Sequence, residues 1–299
     1  MVPKAVITLA VAFSAVLAAA ATTNKRIIGG EVAKEGDFPF IVRLHFQGNS
    51  QLLCEGTLLD STTVVTAAHC PYDAQRQNSA ISSVRAGSLD RETGGVVAEV
   101  QSRIYHPDYV HRFKRNDIAI LKLSTPIQES QTIRYAKLPV NGADPAVGST
   151  AVAAGWGAME SGGISDKLRK VAVPINAPDQ CLNESPLPNS DKDEDYRTHL
   201  DTKVCAGTQG KDTGVGDSGG PLIDQATRQL IGITSFIVGG APAGHAFYTK
   251  VSSYIPWINE NLGNSGIVPR DSLAYLASPE VVAASALSGV ISGPGTYKC

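Results

Sequence analysis

The sequence of 299 residues predicts an all-β protein, either a barrel or a sandwich. From residue 27 to about residue 250, the chain consists of short segments rich in β-branched and aromatic residues. Gly, Pro, Asn and Asp separate these segments, which is the pattern of strands joined by turns. Long helical periodicity is absent there, and many short strands with frequent turns are typical of barrels and sandwiches.

Five segments carry the strand signal most clearly, and one segment carries a helix signal. The predicted strands cover residues 40–46, 57–66, 96–105, 118–123 and 230–238. The predicted helix covers residues 254–262, where Ile255, Ile258 and Leu262 recur at spacings of three and four. This spacing places the three apolar side chains on one face of a helix.

The composition is that of an ordinary globular protein. Hydrophobic residues make up 42% of the chain and charged residues 18%, with a formal net charge of -2. This length suits one large domain or two small ones. Because the charge is nearly balanced, we expect no nucleic-acid partner.

The N-terminal segment has the features of a secretory signal peptide. Lys4 precedes an apolar run, and small residues follow at positions 18–21. The alternative is a membrane anchor, but the apolar run over residues 5–21 is short for a span of about 20 residues. We therefore expect a signal peptide over residues 1–20, a short propeptide over residues 21–26, and a secreted, extracellular protein without membrane attachment.

The C-terminal segment differs in composition from the rest. Ala, Ser, Gly, Val and Leu dominate residues 264–299 without a firm period, and Cys299 is the last residue. We interpret this segment as an appended tail of low complexity. The globular domain is therefore expected to span residues 27–263.

The cysteines are expected to form disulfides, because secretion places them in an oxidising compartment. Their number is five, so at least one has no partner within the chain. Cys54 and Cys70 flank one apolar run, and Cys181 and Cys205 flank one polar insert. Pairing within each couple is the simplest arrangement.

Three short motifs supply the groups needed for hydrolysis by a serine nucleophile. His69 lies in TAAHC at 66–70, Asp117 in NDIAIL at 116–121, and Ser218 in GDSGGP at 216–221. A serine hydroxyl needs a base to take its proton, and the base needs a partner to orient it. Each motif alone is more often structural, as a turn, a packed histidine or the start of a strand. All three together indicate a catalytic triad.

Six motifs in all resemble those of the chymotrypsin-like (trypsin) serine proteases. They are IIGG at 27–30, TAAHC at 66–70, NDIA at 116–119, GWG at 155–157, GDSGGPL at 216–222 and YTKV at 248–251. The resemblance covers residues 27 to about 262. It implies two antiparallel six-stranded β-barrels with a C-terminal helix, and an active site in the cleft between the barrels.

The resemblance also implies a role for each residue of the site. Ser218 is the expected nucleophile, His69 the general base, and Asp117 the group that orients His69. The backbone N–H groups of Gly216 and Ser218 are expected to form the oxyanion hole, where glycine allows the N–H to turn inward. Ser235 is expected to support the triad aspartate and to lie in the substrate-binding site.

A precursor with a defined activation point is implied as well. Arg26 followed by Ile27 resembles the activation point of the family, and a cut between them would free the Ile27 amine. By resemblance, this amine would pair with Asp217, because a buried carboxylate needs a cationic partner. An activating protease is therefore an expected partner. The alternative is that Lys25 and Arg26 are only a solvated basic pair.

The resemblance places the primary specificity pocket around Asp212. A carboxylate at its base favours Arg or Lys before the scissile bond. Phe236, Ile237 and Ala246 are expected to line the pocket, and Ile237 and Ala246 narrow it because trypsins have glycine there. Gly214 stands where trypsins have one cysteine of a disulfide beside the pocket, so the pocket walls are expected to be less constrained.

The sequence therefore predicts a secreted serine endopeptidase that cleaves after Arg or Lys through an acyl-enzyme. Two alternatives are a non-catalytic homologue that binds a partner protein and a protease with small apolar primary specificity. We expect a monomer that acts on protein or peptide substrates, is bound by protein inhibitors and uses no cofactor or metal. We expect no bound calcium in particular, because the stretch after Gly87 lacks acidic calcium ligands in register. Asn183 begins a glycosylation sequon that Pro186 makes less favourable.

Overall fold

The computed structural model describes most of the predicted globular domain. The described residues are 29–48, 53–77, 79–159, 162–183, 200–238 and 244–262. The predicted signal peptide, propeptide and tail lie outside them, as do Arg26, Ile27, Cys299 and the end of the sequon at Asn183. Among the described residues, no helix has both the length and the apolar character needed to cross a membrane.

Six antiparallel strands form the first barrel. After a short strand β1 (Glu31–Val32), these are β2 (Ile41–Phe46), β3 (Glu55–Asp60), β4 (Thr63–Thr66), β5 (Ile81–Ala86), β6 (Val96–Tyr105) and β7 (Ala119–Leu123). The barrel closes in the order β2-β3-β4-β7-β6-β5. Helix α1 (His69–Arg76) follows β4, and a 3-10 turn η1 (His111–Phe113) precedes β7.

The second barrel also has six antiparallel strands. They are β8 (Thr150–Gly155), β9 (Arg169–Asn176), β10 (Lys203–Ala206), β11 (Pro221–Asp224), β12 (Leu230–Val238) and β13 (His245–Lys250). Their order is β9-β10-β13-β12-β11-β8, β8 pairs back with β9 to close the barrel, and β1 adds to β9. Helix α2 (Pro178–Asn183) and the 3-10 turn η2 (Leu200–Thr202) precede β10, and the 3-10 turn η3 (Val251–Tyr254) leads into helix α3 (Ile255–Glu260).

The structure confirms the fold predicted from the family resemblance. Both predicted cysteine pairs are also confirmed, as the disulfides Cys54–Cys70 and Cys181–Cys205. The strands predicted over residues 96–105 and 230–238 are present with the predicted ends. The helix predicted over residues 254–262 is shorter, because Tyr254 belongs to η3 and α3 ends at Glu260.

The prediction of a single strand over residues 57–66 is wrong. This segment contains most of β3 and all of β4, joined as a hairpin. Asp60 Oδ1 accepts hydrogen bonds from the Thr62 backbone N–H at 2.8 Å and from Thr62 Oγ1 at 3.2 Å. An aspartate that bonds the backbone two residues ahead is a common device for reversing the chain.

Both barrels are filled by apolar side chains. In the first barrel, Leu44, Leu58 and Ile120 are fully buried, and in the second barrel Val173, Leu222 and Tyr248 are fully buried. Burial of these apolar side chains is the main favourable contribution to folding. The packed barrels hold the loops that carry the candidate active-site residues.

Candidate active site

Strand pairing brings His69 and Asp117 together. Strands β4 and β7 are antiparallel with Thr66 opposite Ala119, so the residues after β4 lie beside the residues before β7. Asp117 Oδ1 accepts a hydrogen bond from the His69 backbone N–H at 2.9 Å, and Oδ2 lies 2.9 Å from His69 Nδ1. With Nδ1 donating to Asp117, Nε2 of a neutral imidazole is left as the proton acceptor.

The turn that precedes Asp117 has a left-handed backbone conformation. Asn116 has φ 49°, which asparagine tolerates better than most residues. Its Nδ2 donates to the Asp108 carbonyl at 2.8 Å, and its Oδ1 accepts from the Tyr254 hydroxyl at 2.9 Å. These bonds fix the turn and thereby the direction of the Asp117 side chain.

The second barrel supplies further donors to Asp117, whose carboxylate is fully buried. Ser235 Oγ donates to Oδ2 at 2.6 Å, and Thr249 Oγ1 donates to the Asp117 backbone carbonyl at 2.9 Å. Burial alone would raise the pKa of Asp117, but the charge and hydrogen bond of His69 hold that pKa well below its usual value. The hydrogen bond from the Ser235 hydroxyl to Asp117 is the kind of support that the resemblance implies for Ser235.

Ser218 lies in the loop before β11, close to His69. The Ser218 carbonyl accepts a hydrogen bond from the Glu55 backbone N–H at 2.8 Å. Cys70 Sγ lies 3.7 Å from this carbonyl oxygen and 3.9 Å from His69 Nε2. The disulfide between Cys54 and Cys70 thus packs against both residues. The structure brings His69, Asp117 and Ser218 into one site.

The loop around Ser218 depends on glycine. Gly216 has φ 101° and Gly219 has φ 80°, both in the region that favours glycine. A Cβ at Gly219 would lie 2.2 Å from Thr66 Oγ1. Neither the Gly216 N–H nor the Ser218 N–H donates a hydrogen bond to another residue in the described part of the chain. Two such N–H groups are suited to stabilise a developing oxyanion.

The side chain of Asp217, the residue before Ser218, is fully buried. Its Oδ1 accepts from the Gly157 N–H at 2.7 Å, and its Oδ2 accepts from the Gly214 N–H at 2.7 Å. Burial raises the pKa of Asp217 to about 6, although both hydrogen bonds act to lower it. Ile27, its expected partner, lies outside the described residues.

Glu55, which the sequence analysis did not single out, places a second carboxyl beside Asp217. It is fully buried at the start of β3, and its Oε1 accepts from the Trp156 N–H at 2.5 Å. Its Oε2 has no hydrogen-bond partner among the described residues. Burial, and then the charge of Asp217, raise the pKa of Glu55 well above its usual value, and the charge of Arg43 offsets this only in part.

The geometry around Gly155 shows how closely the two carboxyls approach each other. A Cβ at Gly155 would lie 2.2 Å from Asp217 Oδ1 and 2.5 Å from Glu55 Oε2. Both groups therefore occupy the space in front of one backbone position that only glycine permits. The sequence shows Glu55 as a charged residue beside an apolar strand segment, but it does not show which groups the Glu55 side chain faces.

The residues expected to form the specificity pocket lie in the loop between β10 and β11 and on strands β12 and β13. Asp212 is 1% exposed, its Oδ1 accepts from the Thr213 N–H at 2.7 Å, and its Oδ2 has no hydrogen-bond partner among the described residues. Burial raises the pKa of Asp212 to about 7. Ala246 on β13 is fully buried and lies opposite Ile237 on β12. The half-buried Phe236 precedes Ile237.

Gly214 allows a close contact between two loops of the pocket region. A Cβ at this position would lie 2.6 Å from the Ala158 carbonyl oxygen. The Ala158 N–H donates to the Val215 carbonyl at 2.7 Å, so a backbone hydrogen bond joins these two loops. The expected position of the second cysteine falls within residues 238–241, of which 239–241 lie outside the described residues.

One group of described residues places three potential metal-binding atoms close together. It consists of Cys54, His69 and Cys70. The two sulfur atoms are joined in a disulfide, so neither is the thiolate that a metal ion requires. We therefore interpret this cluster as the packing of the disulfide against His69.

We expect Glu55→Gln to stabilise the folded protein at neutral pH. The raised pKa of Glu55 means that the folded wild type loses stability as the pH rises above about 4.3, the value for an unfolded chain. A glutamine does not titrate, and its amide can donate to Asp217. Thermal unfolding should show equal Tm values for the two proteins at about pH 4. At about pH 8, the Tm of the variant should exceed that of the wild type by about 3 °C.

The matched control is Glu31→Gln, which removes the same charge from an exposed position. Its Tm should stay close to that of the wild type at both pH values, because an exposed ion pair contributes little. A Glu55→Gln variant that is less stable than the wild type near neutral pH would contradict the interpretation of two repelling carboxyls.

Comparison with known proteins agrees with this geometry. The Trypsin family model matches residues 27–258. The chain is 36% identical over 264 residues to a trypsin of Phaedon cochleariae, covering 85% of this chain and 97% of that protein. It is 35% identical over 244 residues to a vitellin-degrading protease of Bombyx mori, covering 80% of this chain and 86% of that protein.

A solved structure has the same fold. The human heparin binding protein matches with a TM-score of 0.66 and 26% sequence identity, over 81% of this chain and 100% of that chain. Family motifs, sequence relatives and fold therefore lead to one assignment. The chain belongs to the trypsin family of serine endopeptidases.

Proposed function

We propose that this endopeptidase uses Ser218, His69 and Asp117 as a catalytic triad and cleaves after Arg or Lys. The observation that carries the proposal is the buried pair of His69 and Asp117, whose Nδ1 and Oδ2 atoms lie 2.9 Å apart beside the Ser218 loop. A histidine held in this way is oriented to accept a proton through Nε2.

The reaction follows from these positions. Ser218 Oγ attacks the scissile carbonyl carbon while its proton passes to His69 Nε2. The carbonyl oxygen becomes an oxyanion that accepts hydrogen bonds from the N–H groups of Gly216 and Ser218. His69 then gives the proton to the leaving amine, and the acyl-enzyme is hydrolysed by water through the same steps. Asp117 stabilises the imidazolium in each step.

Specificity for Arg or Lys rests on Asp212. A buried carboxyl with an unpartnered oxygen is costly unless a cation reaches it. The cationic end of a substrate side chain would supply that charge and lower the pKa of Asp212 below about 7. Ala246 is fully buried and pairs with Ile237 on the neighbouring strand, and side chains larger than glycine at these two positions favour small apolar specificity as the second candidate.

We propose further that the protein is secreted as a precursor and activated by a cut after Arg26. Asp217 supports this, because its buried carboxylate has two backbone donors but no cation among the groups that shift its pKa. The amine of Ile27 would provide the missing charge and fix the loop of Gly216. Two disulfides fit an oxidising compartment. The active form would be a monomer that takes protein substrates and protein inhibitors.

Ser218→Ala should abolish almost all hydrolysis, because alanine has no hydroxyl to form the acyl-enzyme. We expect kcat on a peptide with Arg before the scissile bond to fall about a million-fold, as in a comparable triad. The assay uses protein processed to begin at Ile27, with Ser124→Ala as a control at an exposed serine. Substantial activity in folded Ser218→Ala would show that the nucleophile is misassigned.

Asp212→Ser should selectively weaken cleavage after Arg and Lys, because the cation loses its buried counter-charge. On a panel of peptides, kcat/KM for these residues should fall by about a hundred-fold or more, while that for Ala and Val falls much less. Asp166→Ser, at a side chain that is 86% exposed, is the matched control. An unchanged order of preference would contradict the assignment of Asp212 to the specificity pocket.

A further inference from the structure

A buried lysine continues the hydrogen-bond chain of the proposed triad into the second barrel. Lys203 is the first residue of β10 and is 6% exposed. Its Nζ donates to Ser235 Oγ at 3.2 Å, and Ser235 Oγ donates to Asp117 Oδ2 at 2.6 Å. The same Oδ2 atom lies 2.9 Å from His69 Nδ1. The chain of polar atoms therefore runs without a gap from Lys203 to His69.

The other contacts of Lys203 hold its ammonium group in this position. Nζ donates to the Lys114 carbonyl at 2.7 Å and to Thr249 Oγ1 at 3.3 Å, and it lies 5.8 Å from the centre of the Phe236 ring. An ammonium group has three N–H donors, and each has an acceptor here. Lys114 belongs to the loop that leads to Asp117, so Lys203 also joins the two barrels.

We infer that Lys203 is a positioning residue that sets the pH range in which His69 acts as a base. The inference rests on the proposed function of the triad. A positive charge beside Asp117 competes with protonated His69 for the same carboxylate and so favours the neutral imidazole. The bond from Nζ also occupies a lone pair of Ser235 Oγ, which directs the Ser235 hydroxyl proton to Asp117.

The charge state of Lys203 fits this role. Burial lowers the pKa of Lys203 to about 8, and the attraction of Asp117 offsets the effect of burial only in part. Lys114 also acts to lower this pKa through its positive charge. Lys203 is therefore charged in the weakly acidic range, in which a histidine of ordinary basicity loses its proton.

The remaining titratable groups around the site do not replace Lys203. Burial raises the pKa of Tyr109 and that of Tyr254, the latter to about 12, so both phenols stay neutral in this range. His111 faces His69 from η1, and burial lowers the pKa of His111, so its neutral form is favoured at neutral pH. Among the described residues, Lys203 is thus the cation that donates to Ser235, which in turn donates to Asp117.

Lys203→Met tests the inference, because methionine keeps an unbranched apolar stem and removes the charge. Removing one partner of a buried charge pair is destabilising, but Asp117 keeps its hydrogen bonds with His69 and Ser235, so we expect the variant to fold with a lowered Tm. The acid limb of its profile of kcat/KM against pH should move up by about one pH unit, with KM unchanged. A structural role alone would lower activity without moving the limb.

Lys122→Met is the matched control for the loss of a buried lysine. Lys122 lies in β7, and its Nζ donates to Thr63 Oγ1 at 2.9 Å and to the Asn261 carbonyl, away from Asp117. The acid limb of the kcat/KM profile of Lys122→Met should coincide with that of the wild type. Equal shifts in both variants, or none in Lys203→Met, would overturn the inference.

A second measurement does not depend on catalysis. In the Ser218→Ala background, NMR titration of the His69 ring should give a midpoint about one pH unit higher when Lys203 is methionine. An unchanged midpoint would refute the role of Lys203 even if the enzyme were active. If the midpoint shifts but the wild-type enzyme shows no hydrolysis that depends on Ser218, the role of Lys203 is supported and the proposed triad is refuted, so the two failures are distinct.

Discussion

The buried carboxylate of Asp117 is the group on which both the contact between the barrels and the site geometry depend. It is excluded from water and accepts hydrogen bonds from His69 in the first barrel and from Ser235 in the second. A buried donor that loses its acceptor costs about 1–3 kcal/mol, so loss of this carboxylate would destabilise several groups at once. The carboxylate of Asp117 thus orients His69 and also links the first barrel to the second, which couples the fold to the chemistry.

Three other buried carboxyls, those of Glu55, Asp212 and Asp217, behave in the opposite way. Burial raises the pKa of each one, whereas the partners of Asp117 lower its pKa. The difference lies in the cationic partner, because His69 and Lys203 both face Asp117. The carboxyls of Asp212 and Asp217 lack a comparable partner among the described residues. In the proposed enzyme, the cationic side chain of the substrate would pair with Asp212, and the Ile27 amine would pair with Asp217.

Local patterns predicted an all-β barrel or sandwich and the two cysteine pairs, and the family resemblance supplied the two barrels and the gathering of His69, Asp117 and Ser218. Local patterns were insufficient where a structure depends on distant partners. The local sequence does not mark Glu55 or Lys203, because only the packing of other loops and strands against them gives them buried polar partners. The hairpin within residues 57–66 escaped prediction because the turn at Asp60 is short and lies inside an apolar run.

The most direct test of the central claim is the rate at which a serine-reactive phosphonate labels the protein activated to begin at Ile27. The label is located by peptide mass mapping in the wild type and in Asp117→Asn. We predict labelling of Ser218 alone, and a rate about ten-thousand-fold lower in Asp117→Asn, because an asparagine amide favours the wrong His69 tautomer, as in a comparable triad. A label on another residue, or a wild-type rate in folded Asp117→Asn, would contradict the claim that Asp117 controls the site.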